Sequence, residues 1–266
     1  MLNPARILIV AGSDSGGGAG IQADIKTVTA LGAYAMTAIT AVTVQDTTGV
    51  HDFHAVPPEF VAAQIRAVMD DIGADAIKTG MLVSAAAVKS IVDALAPYAS
   101  VPLVVDTVMI AKGGTQLLDD EGVEAMKKHL FPGTTLITPN APEAAMLTGM
   151  RVESPDELAR AGHMLLETGA RAVLVKGGHL SGETVTDVLV DGSGVHVFSA
   201  PRIAGTATHG TGCTLASAIA TGLAQGMALQ DAVVRAREFV REAIRNGLAL
   251  GHGTGPVGIG RVASSE

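Results

Sequence analysis

The segment His209-Gly210-Thr211-Gly212-Cys213 brings an imidazole, a hydroxyl and a thiol together with two glycines, and it holds the only cysteine of the 266 residues. The glycines permit a tight turn and close backbone approach. Residues 214–225 read as a helix, so the unpaired N–H groups of its first turn would face this loop and favour an anion. The same dipole would stabilise a thiolate at Cys213. That combination suits the capture of a phosphoryl group beside a proton acceptor. The same residues also fit a Gly-rich turn ahead of a buried helix, with an inert cysteine in the core.

Other polar residues of unusual type fall at the ends of apolar runs. Residues 7–11 are followed by Gly12-Ser13-Asp14-Ser15-Gly16-Gly17-Gly18-Ala19-Gly20, with Asp24 just beyond. Gln45-Asp46, Thr79-Gly80-Met81, Asp106-Thr107-Val108-Met109, Asn140-Ala141-Pro142-Glu143 and Lys176-Gly177-Gly178-His179 close later runs. The glycine loop fits neither G-x-G-x-x-G nor the P-loop spacing, so it reads only as flexible backbone near a ligand, or as a tight turn. A Gln45 amide offers one donor and one acceptor together, which matches an aminopyrimidine edge and equally a loop cap. Lys176 suits a phosphate as a point charge. Glu143, at a Pro-containing helix start, could hold Mg²⁺ through water, or simply be a first-turn acid favoured by the dipole. Asp24 by itself reads as a solvated acid near a helix N-terminus. His209 is the one histidine singled out, because of its neighbours; no H-E-x-x-H spacing occurs.

The elements that must position these residues alternate. Runs 7–11, 38–44, 76–79, 103–106, 135–138 and 172–176 carry little polar alternation and predict buried parallel strands. Helices are predicted over 19–31, 59–72, 85–95, 121–130, 142–147 and 155–168, with Ser84, Asp119 and Ser154 as caps and Pro155 in a first turn. Residues 184–198 suggest an antiparallel hairpin around Asp191-Gly192-Ser193-Gly194, and two long helices follow, near 214–225 and 231–246. This order predicts a three-layer α/β/α fold with a mainly parallel central sheet. Ligands in such sheets bind beyond the carboxyl ends of the strands, where the candidate residues lie.

Composition narrows the partners. A net charge of −8 with no basic stripe argues against nucleic acid. One cysteine excludes an intrachain disulfide and a Cys-based zinc site. Aromatics make up only 3%, so the core must be aliphatic and rich in Ala and Gly. The uncharged stretches 27–45 and 210–230 carry Thr, Ser, Gln and Gly, which speaks against a membrane span. The start reads as a first strand rather than a signal peptide. A cytoplasmic protein with a single domain over 1–266 is the expectation.

Taken in order, AGSDSGGGAGIQADIKT (11–27), ALGAY (30–34), AITAVTVQDT (38–47), KTGML (78–82), VVDTVMIAKGG (104–114), LITPNAPEA (136–144), VLVKGGH (173–179) and THGTGCTLASAIA (208–220) resemble the hydroxymethylpyrimidine/phosphomethylpyrimidine kinases, the thiamin-biosynthetic members of the ribokinase-like superfamily. The resemblance runs from about residue 6 to about 257. It implies transfer of the ATP γ-phosphate to 4-amino-5-hydroxymethyl-2-methylpyrimidine, then a second transfer to give the diphosphate. By position, Gly12, Ala19, Asp24, Thr43, Gln45, Met81 and Val108 would line the pyrimidine pocket, with Gln45 on the ring nitrogen and amino group. Lys176, Asn140 and Thr208 would face ATP, and Glu143 and Asp106 would organise Mg²⁺. Gly210, Thr211, Gly212 and Cys213 would present amides to the transferring phosphoryl, with Cys213 as catalytic base. Adenine would rest near the last helices, and a homodimer is implied. Asp46 departs from the Asn often found there, and the tail GTGPVGIGRV lacks the His that often follows GPV. The rivals are a pyridoxal kinase of the same fold and a non-catalytic pyrimidine-binding regulatory protein.

Overall fold

Short apolar runs without polar alternation are suited to strands covered on both faces. The computed structural model, which describes residues 3–111, 114–205 and 207–261, places them in one such sheet. Lys112 and Gly113 of the VVDTVMIAKGG segment, and Val262 at the end of the GTGPVGIGRV tail, lie outside the described residues. The strands are β1 (Arg6–Ser13), β2 (Tyr34–Gln45), β3 (Val50–Ala55), β4 (Ala76–Thr79), β5 (Leu103–Val105), β6 (Leu136–Ile137), β7 (Ala172–Val175), β8 (Thr184–Asp191) and β9 (Gly194–Pro201). The helices are α1 (Gly20–Ala30), α2 (Pro58–Asp71), α3 (Ala85–Leu95), α4 (Asp120–Ala125), α5 (Ala141–Thr148), α6 (Pro155–Leu166), α7 (Thr211–Ala224) and α8 (Leu229–Arg245).

The sheet order is β3-β2-β1-β4-β5-β6-β7-β8-β9. Strands β2, β1, β4, β5, β6 and β7 are mutually parallel, β3 and β8 pair antiparallel to them on either side, and β9 pairs antiparallel to β8. The chain leaves β1 towards β2 on one side and returns to β4 on the other. That reversal opens a crevice at the carboxyl ends of β1 and β4, the usual ligand position in such sheets.

Pleating divides each central strand between two cores. Ile7, Ile9 and Ala11 of β1 pack with Ala216, Ile219, Ala220 and Phe239 of α7 and α8. Leu8 and Val10 pack on the other face with Val61, Ile65 and Ile91 of α2 and α3. The predicted α/β/α layering is therefore the observed one. Ser84, Asp119 and Ser154 cap their helices by accepting from the amides of Ala87, Gly122 and Glu157.

Four local differences have physical reasons. Strand β3 is additional to the predicted set, because in an edge strand of sequence VHDFHA only Val50 is buried and no alternation marks it. Strand β2 begins at Tyr34 rather than at 38, paired to β1 from Arg6 onward. The helix expected over 121–130 changes after α4 into a wider π turn at Met126–Leu130, which lets Met126, Leu130 and Phe131 all reach the core. Helix α7 begins at Thr211, not at 214, because Gly210 in the left-handed region (φ 85°) serves as its N-cap. Cys213 thus belongs to the first turn.

Helix α7 is buried along nearly its whole length, and its small residues let it lie against β1, β4 and β5. Ala216, in contact with no solvent, is where a larger side chain would lift the helix off the sheet. Ala216→Leu is expected to destabilise the protein by about 1–3 kcal/mol through overpacking. A urea denaturation midpoint lower than that of the parent chain checks this.

Candidate active site

The glycine-rich loop after β1 is organised by one carboxylate. Asp14 accepts from the amides of Gly16, Gly18 and Ala19 at 2.7, 3.0 and 2.8 Å. Burial opposes its charge, but His209 and these amides outweigh burial and hold the carboxyl below its ordinary value. His209 lies 3.1 Å from Asp14 through Nε2, so this loop and the 209–213 loop are tied directly. Their backbones also touch: a Cβ on Gly210 would stand 1.9 Å from the Gly18 carbonyl oxygen.

Gln45 ends β2 facing the same point. The Thr43 hydroxyl lies 3.0 Å from the Ser13 carbonyl and 3.2 Å from Gln45 Oε1, so one proton serves two acceptors. Gln45 Nε2 is 3.3 Å from His209 Nε2. That imidazole nitrogen either accepts from Gln45 or donates to Asp14, so the His209 tautomer sets how the amide is held.

Deeper, the strand ends carry a run of buried charges. Lys78 of β4 donates to both carboxylate oxygens of Asp24, at 3.0 and 2.8 Å, and Ser217 of α7 donates to Asp24 Oδ1 at 2.6 Å. Lys176, just after β7, pairs with Asp106, just after β5, at 2.9 Å. Burial disfavours the charge on both lysines, yet the facing carboxylates outweigh it and hold both ammonium groups above their ordinary value. Glu143 forms a capping box with Asn140 at the start of α5 and accepts from Thr107 at 3.0 Å. Burial pushes its carboxyl up to about 7, against the pull of Lys176, and the neighbouring Asp106 adds to the rise.

Cys213 corrects an expectation. Its position in the first turn of α7 was expected to stabilise a thiolate, but burial pushes the thiol up to about 12. Lys78 and the Gly20 amide pull it down, while Asp24 and Asp106 push it further up. Desolvation therefore exceeds the helix-terminal field, and the thiol is protonated in this state.

These groups surround one cavity of about 660 Å³, a size that suits small-molecule sites. Gly12, Ala19, Thr43, Gln45, Met81, Val108, Asp106, Asn140, Glu143, Lys176, Thr208, Gly210, Thr211, Gly212 and Cys213 all line it. Asp24 does not. It was expected on the pyrimidine pocket wall, but it is fully buried behind Lys78, because α1 turns that face towards β4 and α7. One end of the cavity is apolar, where Val50, Met81, Leu117, Val83 and Val108 cluster. Val83 there holds a φ of 75°, an uncommon geometry for a β-branched residue. The far end is walled by Val240 and Ile244 of α8, with Arg202, Arg237 and Arg241. Sequence reasoning passed over Asp14, Lys78 and these arginines. A lysine in the apolar run AIKT was the available signal for Lys78, since a charge inside a buried strand needs a partner.

A helix N-terminus, a strand-end lysine and a cavity at the sheet's switch point are together suited to holding phosphate groups, as a small-molecule kinase must. The comparisons agree. The chain matches the family model described as phosphomethylpyrimidine kinase over residues 14–258, and it belongs to that family. It is 50% identical over 256 residues to the hydroxymethylpyrimidine/phosphomethylpyrimidine kinase of Streptomyces coelicolor, covering 96% of this chain and 94% of that one. It is 52% identical over 251 residues to the thiamine biosynthesis bifunctional protein ThiED of Geobacter sulfurreducens, covering 94% of this chain but only 51% of that longer protein. Among solved structures, the phosphomethylpyrimidine kinase of Clostridium difficile 630 is similar at a TM-score of 0.80 and 42% identity, covering 90% of this chain and 99% of that one. The Staphylococcus aureus pyridoxal kinase, solved with AMP-PCP and pyridoxal, is similar at a TM-score of 0.89 and 33% identity, covering 98% and 95%.

Gly210 has both a positive φ and no room for a Cβ. Gly210→Ala is expected to displace the 210–213 amides and lower kcat by about 10²-fold, the loss a misplacement on the order of 1 Å can cause. Steady-state kinetics with a thermal melt alongside would check this: a folded variant with unchanged kcat would contradict it.

Proposed function

We propose that this kinase transfers the γ-phosphoryl group of ATP to the hydroxymethyl group of 4-amino-5-hydroxymethyl-2-methylpyrimidine, and then to the resulting monophosphate. The diphosphate so formed would serve the biosynthesis of thiamin diphosphate. The observation that carries this reading is the single cavity joining Gln45 and the apolar Met81–Val108 end to Lys176 and the 210–213 amides. The family match and the named relatives support the choice of substrate. The pyridoxal kinase similarity supports ATP use and marks the nearest alternative acceptor, at lower sequence identity. A non-catalytic regulatory role sits poorly with a site that retains Lys176, Glu143 and Cys213.

In this reading Gln45 pairs with the ring nitrogen and amino group, with Gly12, Ala19, Thr43, Met81 and Val108 as walls. Asp24 acts from behind. Lys176, Asn140 and Thr208 face the ATP phosphates, and adenine rests near Val240 and Ile244. The amides of Gly210, Thr211, Gly212 and Cys213 receive the charge of the transferring phosphoryl group, the main work in a loose transition state. In the first transfer Cys213 acts as the thiolate, its own proton having passed to water, and Sγ takes the alcohol proton as the O–H bond breaks. The alcohol oxygen bonds to the γ-phosphorus as the bridging P–O bond breaks, and the charge leaves on ADP. In the second transfer the acceptor is a phosphate monoester, already anionic, and no base is needed.

The donor set fits Mg²⁺. Asp106 and Glu143 are hard carboxylates on the cavity wall, and Asp106 raises Glu143's carboxyl, a repulsion that a cation would relieve. Among the described residues no group of three His, Cys, Asp or Glu could hold a metal alone, so phosphates and water would complete the shell. Bound there, Mg²⁺ would neutralise phosphate charge. We also propose one catalytic domain over 1–266, a homodimer and a cytoplasmic location. The single sheet supports the first, exposed Val42 and Val44 on β2 are in keeping with the second, and no described helix is long and apolar enough to cross a membrane.

ATP consumption measured in parallel with the pyrimidine alcohol and with pyridoxal is expected to show higher kcat/KM for the pyrimidine. A preference for pyridoxal would overturn the assignment. Gln45→Leu should raise the KM for the pyrimidine by at least about tenfold, since buried ring-edge groups would lose their partner. Cys213→Ala is expected to slow the first phosphorylation by about 10²–10⁴-fold, the range of general-base assistance, and the second much less. Equal losses in both steps would leave Cys213 a positional role only.

A further inference from the structure

The reaction scheme leaves one buried charge unused. Lys78 is wholly inaccessible to solvent, yet it underlies the cavity floor at the end of β4. A Cβ on the adjoining Gly80 would stand 3.1 Å from its Nζ, so the ammonium lies directly under the strand-end turn. Asp24 grips it through both oxygens, and Ser217 grips Asp24. Ser217 stands four residues after Cys213 on α7, hence one turn along the same helix face. The clamp therefore joins β4, α1 and α7 beneath the turn that carries the thiol.

We propose that Lys78 is a positioning residue for the transfer centre: clamped by Asp24 and Ser217, it keeps a buried cation beneath the turn that carries Cys213 and so favours the thiolate, the form of that side chain able to take the alcohol proton. This rests on the reading of Cys213 as the proton acceptor. The charged and polar groups facing the thiol come from every neighbouring element. Lys78 approaches from β4, Asp24 and the Gly20 amide from α1, Asp106 from the segment after β5, and Lys176 from the segment after β7. Of these, Lys78 offsets burial the most, and Asp24 counteracts it. Asp24 thus has two opposed effects. It fixes the lysine in place, and it shields the thiol from the full field of that lysine.

The opposed effects make a test that a loss of packing would not imitate. Cys213 is the only cysteine, so the rate of alkylation by iodoacetamide reads that thiol alone, rising with its thiolate fraction and with its exposure. At pH 8, Asp24→Asn is expected to alkylate faster than the parent chain, because Lys78 loses its counter-charge. Adding Lys78→Met to that variant leaves a neutral pair and should slow alkylation by at least about tenfold relative to Asp24→Asn, given the strength of a charge at this depth. The kcat of the first phosphorylation should fall between the same two variants, with the KM for ATP unchanged. General loosening would instead speed alkylation in both. Equal rates in the two variants, or a faster double variant, overturn the proposal. Should the double variant not fold, an Asp24→Asn rate at or below that of the parent overturns it by itself. If Cys213→Ala spares the first phosphorylation, the reading beneath it fails, and that result is separate from the alkylation order.

Discussion

The charges buried at the carboxyl end of the sheet are the constraint on which the rest of this structure depends. Lys78 and Asp24 are fully buried, Asp106 nearly so, and Lys176 and Glu143 are largely covered. None of these groups is tolerable alone at that depth, and removing one partner of a buried pair costs about 3–5 kcal/mol. They come from β4, α1, the segments after β5 and β7, and α5. Each element is therefore held in register by the need of another element's charge for a partner. Both signs of charge face the cavity: Lys176 and the helix-terminal amides line it together with Asp106 and Glu143, while Asp24 stands behind Lys78.

The second constraint is backbone approach. A Cβ at Gly20 would meet the Gly12 carbonyl oxygen at 2.4 Å, and one at Gly210 would meet that of Gly18 at 1.9 Å. These contacts bring the loop after β1 against the loop before α7, and Asp14 and His209 bridge them. Where these two loops meet, main chain forms the cavity wall, and its amides cannot be lost by rotamer change. Such a wall is preorganised for developing charge, which is where phosphoryl transfer draws most of its rate.

The same scaffold is found in kinases named for pyridoxal and for the pyrimidine, and the overall shape matches the former at least as well. Fold does not select the acceptor. Under the proposed function, selection would fall to the end of the cavity where Gln45 offers an amide beside the apolar wall of Val50, Met81, Val108 and Leu117. The hydrogen-bond state of Gln45 depends in turn on His209, from the opposite loop, which couples the two sides of the cavity.

Much of this was legible in the linear chain, for reasons that are local. Unbroken apolar runs such as 7–11 and 172–175 mark doubly covered strands, and Ser84, Asp119 and Ser154 announce helix starts, because pleating and capping depend on near neighbours. The strand-end rule then gathered Gln45, Asp106, Asn140, Lys176 and Cys213 as one set. Edge strand β3 escaped, having only Val50 buried, and the start of α7 was misplaced because Gly210 reads as a turn until its φ is known. By itself the sequence determined the layering and the family, and it named Gln45, Asp106, Asn140, Lys176 and Cys213 as candidates that line one cavity. Only the tertiary structure decided their states: that Asp24 stands behind Lys78, that Asp14 and His209 join two loops, and that Cys213 is a protonated thiol. Those states are set by desolvation and by charges brought together across 54 to 195 residues of chain, and no local pattern records them.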